Sequence, residues 1–380
     1  MWAVPINPHE GPTGWRNWRG EWALPVIFVI FVVGEVFKVP IGNNRIGAVG
    51  EVLAFVGFFS GALLGAFSVV RHAEELAHRF GEPYGTLILT ISAITIEVVI
   101  ISTIMLHGTN NPKIGRDTMY SVVMIVLAGV VGFSLLSGGL RHREQGYNLQ
   151  GASTFLSVLF PLAVLSLVWP NFTRTTTSGE LSIGKAWFIM IGSVALYIIF
   201  LGVQTVRHRG YFTVPSEAEL HGGGEGARSR AGWSFHAVML VLCLLLVVLL
   251  AELFSLPLDI GLEQLELPRG LGAFAVAALI LAPESVAAIR AARANHMQRA
   301  VNLSLGTVLA TISLTAPAVL AIDLFTHHPV LLGLDPANAA LMVLTLGVSI
   351  ITFSSGRTNM LQGAVHLLLF VAYLVLIFSP

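Results

Sequence analysis

The chain has 380 residues, of which 55% are hydrophobic and 11% charged, with 21 Lys plus Arg balanced by 21 Asp plus Glu. About a quarter of an ordinary soluble domain is charged, so this composition excludes a water-soluble globular protein, and zero net charge gives no footing for nucleic acid or another polyanion. Cys243 is the single cysteine, which excludes disulfides and cysteine metal centres within the chain.

About 20 consecutive apolar residues span a bilayer as a helix, and runs of that length recur from end to end. Residues 1–21 are polar, carry Pro5, Pro8 and Pro12, and lack the apolar stretch of a cleavable signal. Eleven spans are predicted, at 22–39, 46–70, 85–106, 119–139, 151–169, 186–206, 233–254, 270–290, 301–322, 331–354 and 361–379. The longest polar stretch, RHRGYFTVPSEAELHGGGEGARSRAG (207–232), reads as a flexible linker. With residues 1–45 set apart as an N-terminal segment and first span, five spans precede the linker (46–206) and five follow it (233–380). An odd number of spans per half means that two similar halves insert with opposite orientation, which is the inverted-repeat plan of secondary transporters. The expected fold is therefore an all-α integral membrane protein of one N-terminal helix plus two inverted five-helix repeats, with membrane lipid as its solvent.

Lys and Arg set the orientation. The N-terminus and the connections after even-numbered spans hold 14 of them, and the other side holds 7. The N-terminus and the linker are thus expected in the cytoplasm and the C-terminus on the opposite face.

The second span of each half carries one glutamate at mid-membrane, Glu97 in TLILTISAITIEVVIIS and Glu284 in ALILAPESVAAIR. Beyond each comes a polar turn and a further span, where RDTMYSVVM and QRAVNLSLG align Arg116 with Arg299 and Ser121 with Ser304. A carboxylate at the bilayer centre costs at least about 2.5 kcal/mol, so it persists only beside a cavity, a partner or a proton. Two of them facing one another are neutral with two protons or with one Ca2+, whereas the empty, doubly charged site is strongly disfavoured. That exclusivity is a physical basis for exchange. Pro283 removes a backbone donor next to Glu284 and frees carbonyl oxygen, the ligand type that Ca2+ and Na+ prefer. Around Glu97 the hydroxyls of Thr90, Ser92 and Thr95 are candidates to line the same crevice, the alternative being a bond back to the carbonyl one turn earlier. Ser121 and Ser304 are candidates in the following spans.

The segment APESVAAIRAARANHMQRAVNLSLGTVLATISLTAPAV resembles the second repeat of Ca2+/H+ antiporters in the calcium/cation antiporter superfamily. RHAEELAHRFGEPYGTLILTISAITIEVVIIS resembles the first repeat, and VVGFSLLSGGLRHREQGYNLQGASTFLSVL the segment after it. The likeness covers most of residues 46–379 and is greatest to the bacterial sodium/calcium:proton antiporter branch. It implies a proton-coupled antiporter of the bacterial inner membrane, not an enzyme, with no cofactor, with Ca2+, Na+ and H+ as cargo and K+ as a further candidate. It also implies that Glu97 and Glu284 are the cation and proton ligands. The family's repeats usually read Gly-Asn-Ala-x-Glu, but Ile94 and Leu281 stand at the asparagine positions here, and Ala310 stands where the following helix has Gln. Thr307 and Thr311 are the candidate replacements for those amides, and the thinner oxygen shell leaves room for Na+ or K+ beside Ca2+.

Other polar residues carry plainer readings. Glu252 and Asp323, near span ends, are expected to snorkel to the interface. Glu35 lies within span one, and Glu51 is a candidate vestibule residue. His366 reads as a packing histidine. RHAEELAH, with His72 and His78, lacks the His-Glu-x-x-His spacing of zinc proteases and reads as a solvated helix end, with a cation or pH sensor as the alternative. A membrane-embedded hydrolase is a rival function, but no GxSxG, HExxH or Walker lysine motif is present. A cation channel is the other rival, and it would move cations without obligatory proton movement.

The charge asymmetry makes a direct prediction. Cysteines placed singly between 207 and 232 react with a membrane-impermeant thiol reagent from the cytoplasmic side. Labelling from the outside alone would reverse the orientation.

Overall fold

The computed structural model describes residues 21–42, 47–80, 84–107, 112–173, 181–213, 232–326 and 330–378. Eleven helices run through them: α1 (Ala23–Gly42), α2 (Gly47–Phe80), α3 (Tyr84–His107), α4 (Ile114–His142), α5 (Leu149–Leu167), α6 (Ile183–Arg207), α7 (Trp233–Gln264), α8 (Arg269–Arg293), α9 (Met297–Thr326), α10 (Pro336–Thr352) and α11 (Met360–Phe378). Nine of these are long and apolar enough to cross a membrane, α10 is shorter, and α1 is an apolar helix of 20 residues. Each helix lies on a predicted apolar run. Two overshoot, since α2 continues to Phe80 and α7 to Gln264, past the expected ends at 70 and 254. Backbone hydrogen bonding does not stop where apolar sequence stops, and the Ala, Glu, Leu and Arg beyond residue 70 favour helix.

In lipid every backbone donor needs an internal partner, and the helix ends show how this is met. Asn148 accepts from the amides of Gln150 and Gly151 at 3.0 and 3.2 Å and so caps α5, while Asp335 caps α10 through Asn338 N at 3.0 Å. The loops Gln145–Gly146 and Arg357–Thr358 pair as a two-stranded antiparallel ribbon. Large apolar side chains such as Phe28, Ile198, Val241 and Leu368 are exposed and face the lipid.

The buried side chains divide into two cores. One joins α1, α2 and α7 with one side of α3 and α8. The second joins α4, α5, α6, α9, α10 and α11 with the other side of α3 and α8. Ile96 and Ile100 belong to the first core and Ile94 and Ile101 to the second, and α8 splits in the same way at Ile280 and Leu281. The two helices that carry the glutamates are therefore the ones sandwiched between cores. Helix α4 is the innermost, 89% buried against 28% for α6 and α11.

Both α4 and α9 contain a π-helical segment, Met124–Val130 and Thr311–Thr315. Such bulges leave carbonyls without an intrahelical partner. Within the π-segment of α4, Leu127 O accepts from His366 Nδ1 at 2.6 Å, while His366 Nε2 contacts Thr352 Oγ1 at 3.0 Å. His366 thus has the packing role expected of it.

The segment around His72 differs from expectation. It is a buried cluster, not a solvated helix end: His72 is 1% exposed, with Nε2 3.2 Å from Glu21 Oε2 and Nδ1 3.0 Å from His236 Nδ1. Glu21 also accepts from Arg71. One ring donates and the other accepts, so the cluster ties the start of α1 to α2 and α7. The side chain of His78 lies outside the described residues. Lys38 and Glu252 form a 2.6 Å ion pair between α1 and α7, so Glu252 is paired rather than merely snorkelling. Glu51 is buried, with Oε1 lacking a hydrogen-bond partner among the described residues.

Close approach of α4 and α11 generates a stability prediction. A Cβ at Gly363 would meet Leu136 N at 2.5 Å and Gly132 O at 2.9 Å, both backbone, whereas one at Gly184 meets nothing within 4 Å. Overpacking costs about 1–3 kcal/mol. Gly363→Ala should lower the thermal midpoint in detergent and Gly184→Ala should not, as read by fluorescence-detected size-exclusion after heating. Equal midpoints would contradict this packing.

Candidate ion-binding site

Glu97 sits near the middle of α3 and Glu284 in α8, directly after Pro283, and both line one cavity of about 790 Å3. The α8 helix runs through Pro283 without a break, so the carbonyl of Leu279, one turn earlier, lacks its usual donor. No proline occurs in α3. Glu97 is 3% exposed, and each of its carboxylate oxygens accepts a hydrogen bond: Thr311 Oγ1 donates to Oε2 at 2.7 Å and Thr315 Oγ1 to Oε1 at 2.9 Å. Both threonines belong to the π-segment of α9. Glu284 is half-buried in the wall of the same cavity.

The cavity reaches from these carboxylates to the end of the protein that carries the linker. Its walls there include Glu74 of α2, Arg209 just beyond α6, and His296, Arg299 and Asn302 at the start of α9. The first residues after α6 are held across this mouth. Asn302 Nδ2 donates to Phe212 O at 2.7 Å, and the Phe212 ring packs edge-on to Phe155 and Phe200. A second, smaller crevice of about 330 Å3 opens at the other end of the helices, lined by Ser255, Asp259, Glu263, Glu266 and Arg269.

The candidate hydroxyls separate into two groups. Thr90, Ser92, Thr307 and Thr311 line the cavity, although Ser92 also bonds back to Ile88 O at 2.7 Å. Thr95, Ser121 and Ser304 do not line it, which corrects the expectation for these three. Thr95 bonds back to Ile91 O at 2.6 Å on an outward face. Ser121 is buried near the start of α4, donates to Asp117 O at 2.7 Å and accepts from Tyr373 OH at 2.7 Å. Ser304 is buried in the packing of α9. Thr315 escaped sequence reasoning, and the visible signal was its spacing of four residues from Thr311. Ile94, Leu281 and Ala310, which stand where amides were expected, all line the cavity.

The chemistry of this arrangement is that of hard oxygen donors around a cavity wide enough for a hydrated ion inside a membrane protein. Two carboxylates and several hydroxyls suit alkali and alkaline-earth cations.

Comparison with known proteins agrees with this. The chain is 42% identical over 334 residues to the "Sodium-potassium/proton antiporter ChaA" of Escherichia coli, covering 87% of this chain and 88% of that one. It is 43% identical over 331 residues to the "Putative ionic transporter y4hA" of Sinorhizobium fredii, covering 87% and 89%. Among solved structures, that of a selenium-substituted Ca2+/H+ antiporter protein, YfkE, superposes with a TM-score of 0.71 at 18% identity, covering 93% of this chain and all of that one. The pattern described as "Sodium/calcium exchanger protein" matches residues 50–206 and 235–379, and the chain belongs to that family.

Proposed function

We propose that the protein is a secondary antiporter that exchanges cytoplasmic Na+ or K+, and Ca2+, for protons across a bacterial inner membrane, with Glu97 and Glu284 as one site used by cation and proton in turn. The observation that carries this is the convergence of the two intramembrane carboxylates on one cavity of about 790 Å3 with hydroxyl groups around them. Family membership supports ion exchange over a channel or a hydrolase. The name of the relative at 42% identity supports Na+ and K+, and that of the structural neighbour supports Ca2+.

The domain reading is one N-terminal helix (1–45), a first five-helix repeat (46–206), a cytoplasmic linker (207–232) and a second repeat (233–380). The two matched family segments support the two halves. Residues 214–231 of the linker lie outside the described residues. With the linker in the cytoplasm, the large cavity faces inward and the acidic crevice outward. The site is then reached from one side at a time as the two cores rock about α3 and α8. A proton and a cation compete for the same carboxylate oxygens, so a site loaded with one is closed to the other, and the return trip must carry the alternative occupant. Lipid, inorganic cations and protons are its partners.

Glu97→Gln or Glu284→Gln keeps the volume of the side chain while removing both the charge that a cation needs and the proton that must be released. Cation-induced dequenching of a pH-sensitive dye in everted vesicles should fall at least about a hundredfold for either variant at normal insertion. The double variant should be no worse, because residues that act as a unit are not additive. Near-normal flux in either single variant would remove that residue from the site.

The missing amides at positions 94, 281 and 310 predict weak discrimination. Na+ or K+ should drive dequenching beside Ca2+, with the monovalent response growing at alkaline pH as proton competition fades. Transport of Ca2+ alone, undiminished by a large excess of Na+ or K+, would contradict this.

A further inference from the structure

The two carboxylates are held unequally. Glu97 has one threonine hydroxyl on each oxygen, at 2.7 and 2.9 Å, and is 3% exposed. Glu284 is more open to the cavity and makes no hydrogen bond among the described residues. The cause lies in the sequences of α4 and α9. Their starts, Ile114 and Met297, set Arg116 level with Arg299 and Ser121 level with Ser304. In that register Thr311 and Thr315 correspond to Ala128 and Gly132. Ala128 lies within the π-segment of α4, as Thr311 lies in that of α9. Neither alanine nor glycine carries a donor. A larger residue has no room at the second position, because a Cβ on Gly132 would meet Leu367 at 2.9–3.0 Å, backbone nitrogen included. The packing of α11 on α4 thus takes the place of the pair of hydroxyls that α9 offers.

We propose that Thr311 and Thr315 are positioning residues that make Glu97 the fixed ligand of the site, while Glu284, unanchored at the cavity wall, is the moving arm that meets cations and protons arriving from the cavity. This rests on the reading of the two glutamates as one exchange site. A carboxylate fixed by two hydroxyls holds its position whether or not an ion is present, which shapes the site in advance. A carboxylate without partners can change rotamer to follow its ion at little cost. The two halves are then related in plan but differ in task.

Shortening each side chain by one methylene separates the roles, because charge is kept and only reach is lost. Half-saturating Na+ and Ca2+ concentrations and maximal rates are read by dye dequenching in everted vesicles across pH, normalised to inserted protein. Glu97→Asp withdraws the carboxylate from hydroxyls that cannot follow, and should raise the half-saturating concentration about tenfold or more, since a hydrogen bond to a charged group is worth at least that factor. Glu284→Asp has no fixed partner to lose and should raise it by less than Glu97→Asp does. Thr311→Val combined with Thr315→Val should reproduce the Glu97→Asp defect, and adding Glu97→Asp to that pair should cost little more, as expected for coupled groups. Thr311→Ser should restore near-normal values. Equal sensitivity of the two glutamates to Asp overturns the inference, as does full additivity of the combined variant, or a Val pair that lowers only expression or thermal midpoint. Retention of exchange by Glu97→Gln or Glu284→Gln would instead overturn the site itself, so the two failures are distinct.

Discussion

A carboxylate inside a membrane protein persists only beside a cavity, a partner or a proton. At Glu97 the partners come from the other half of the chain. The glutamate is on α3, before the linker, and the two hydroxyls that hold it are on α9, after the linker. The site therefore exists only when both halves are packed together. Its geometry is a property of their interface, and any movement of one against the other is felt at the carboxylate.

That dependence explains the arrangement of the cores. Helices α3 and α8 each bury one side in the α1–α2–α7 core and the other in the larger core, so neither belongs wholly to one body. Ile100 and Ile101 on α3, with Leu279 and Ile280 on α8, are buried close to the glutamates. On one side of this level lies the cavity that reaches the linker end, and at the opposite end lies the acidic crevice with Asp259, Glu263 and Glu266. Packed interiors shift between discrete arrangements more readily than they deform. Lys38–Glu252 and the Glu21–Arg71–His72–His236 cluster hold the smaller core together as a unit, and in the proposed exchange its sliding would close one opening and widen the other.

The architecture was legible in the sequence because lipid imposes one simple rule on length and hydrophobicity. The eleven helices fall on the eleven apolar runs, and two glutamates stand out wherever charge is otherwise absent. Other features were illegible for definite reasons. A π-segment costs a single residue of register and leaves no mark on hydropathy. Thr95 and Thr311 look alike in sequence, each a hydroxyl on an apolar helix, yet one bonds back to its own helix while the other reaches across to Glu97. Helix rotation decides between these outcomes, and packing rather than local sequence sets the rotation. The buried cluster at His72 was hidden because charged residues after a span usually mark its exit into water. Here Glu21 and His236, both distant in sequence, supply partners that let the segment stay inside.

The same cavity bears on ion selectivity. An ion that enters exchanges part of its water shell for protein oxygen, and discrimination grows with the fraction exchanged. Ca2+ takes 6 to 8 oxygens. The side chains at 94, 281 and 310, where amide oxygens would add to that number, are apolar and border the cavity directly. Water in a space of about 790 Å3 must then complete the shell. A partly hydrated ion is recognised mainly by charge, and less by radius or by a demanding coordination geometry. Two carboxylates enforce a positive charge whatever its source, be it two protons, one divalent ion, or a monovalent ion with a proton beside it. In the proposed site, breadth of cargo would follow from the same substitution that leaves the carboxylates without amide neighbours, and the threonine pair on Glu97 would fix where the ion sits without fixing which ion it is.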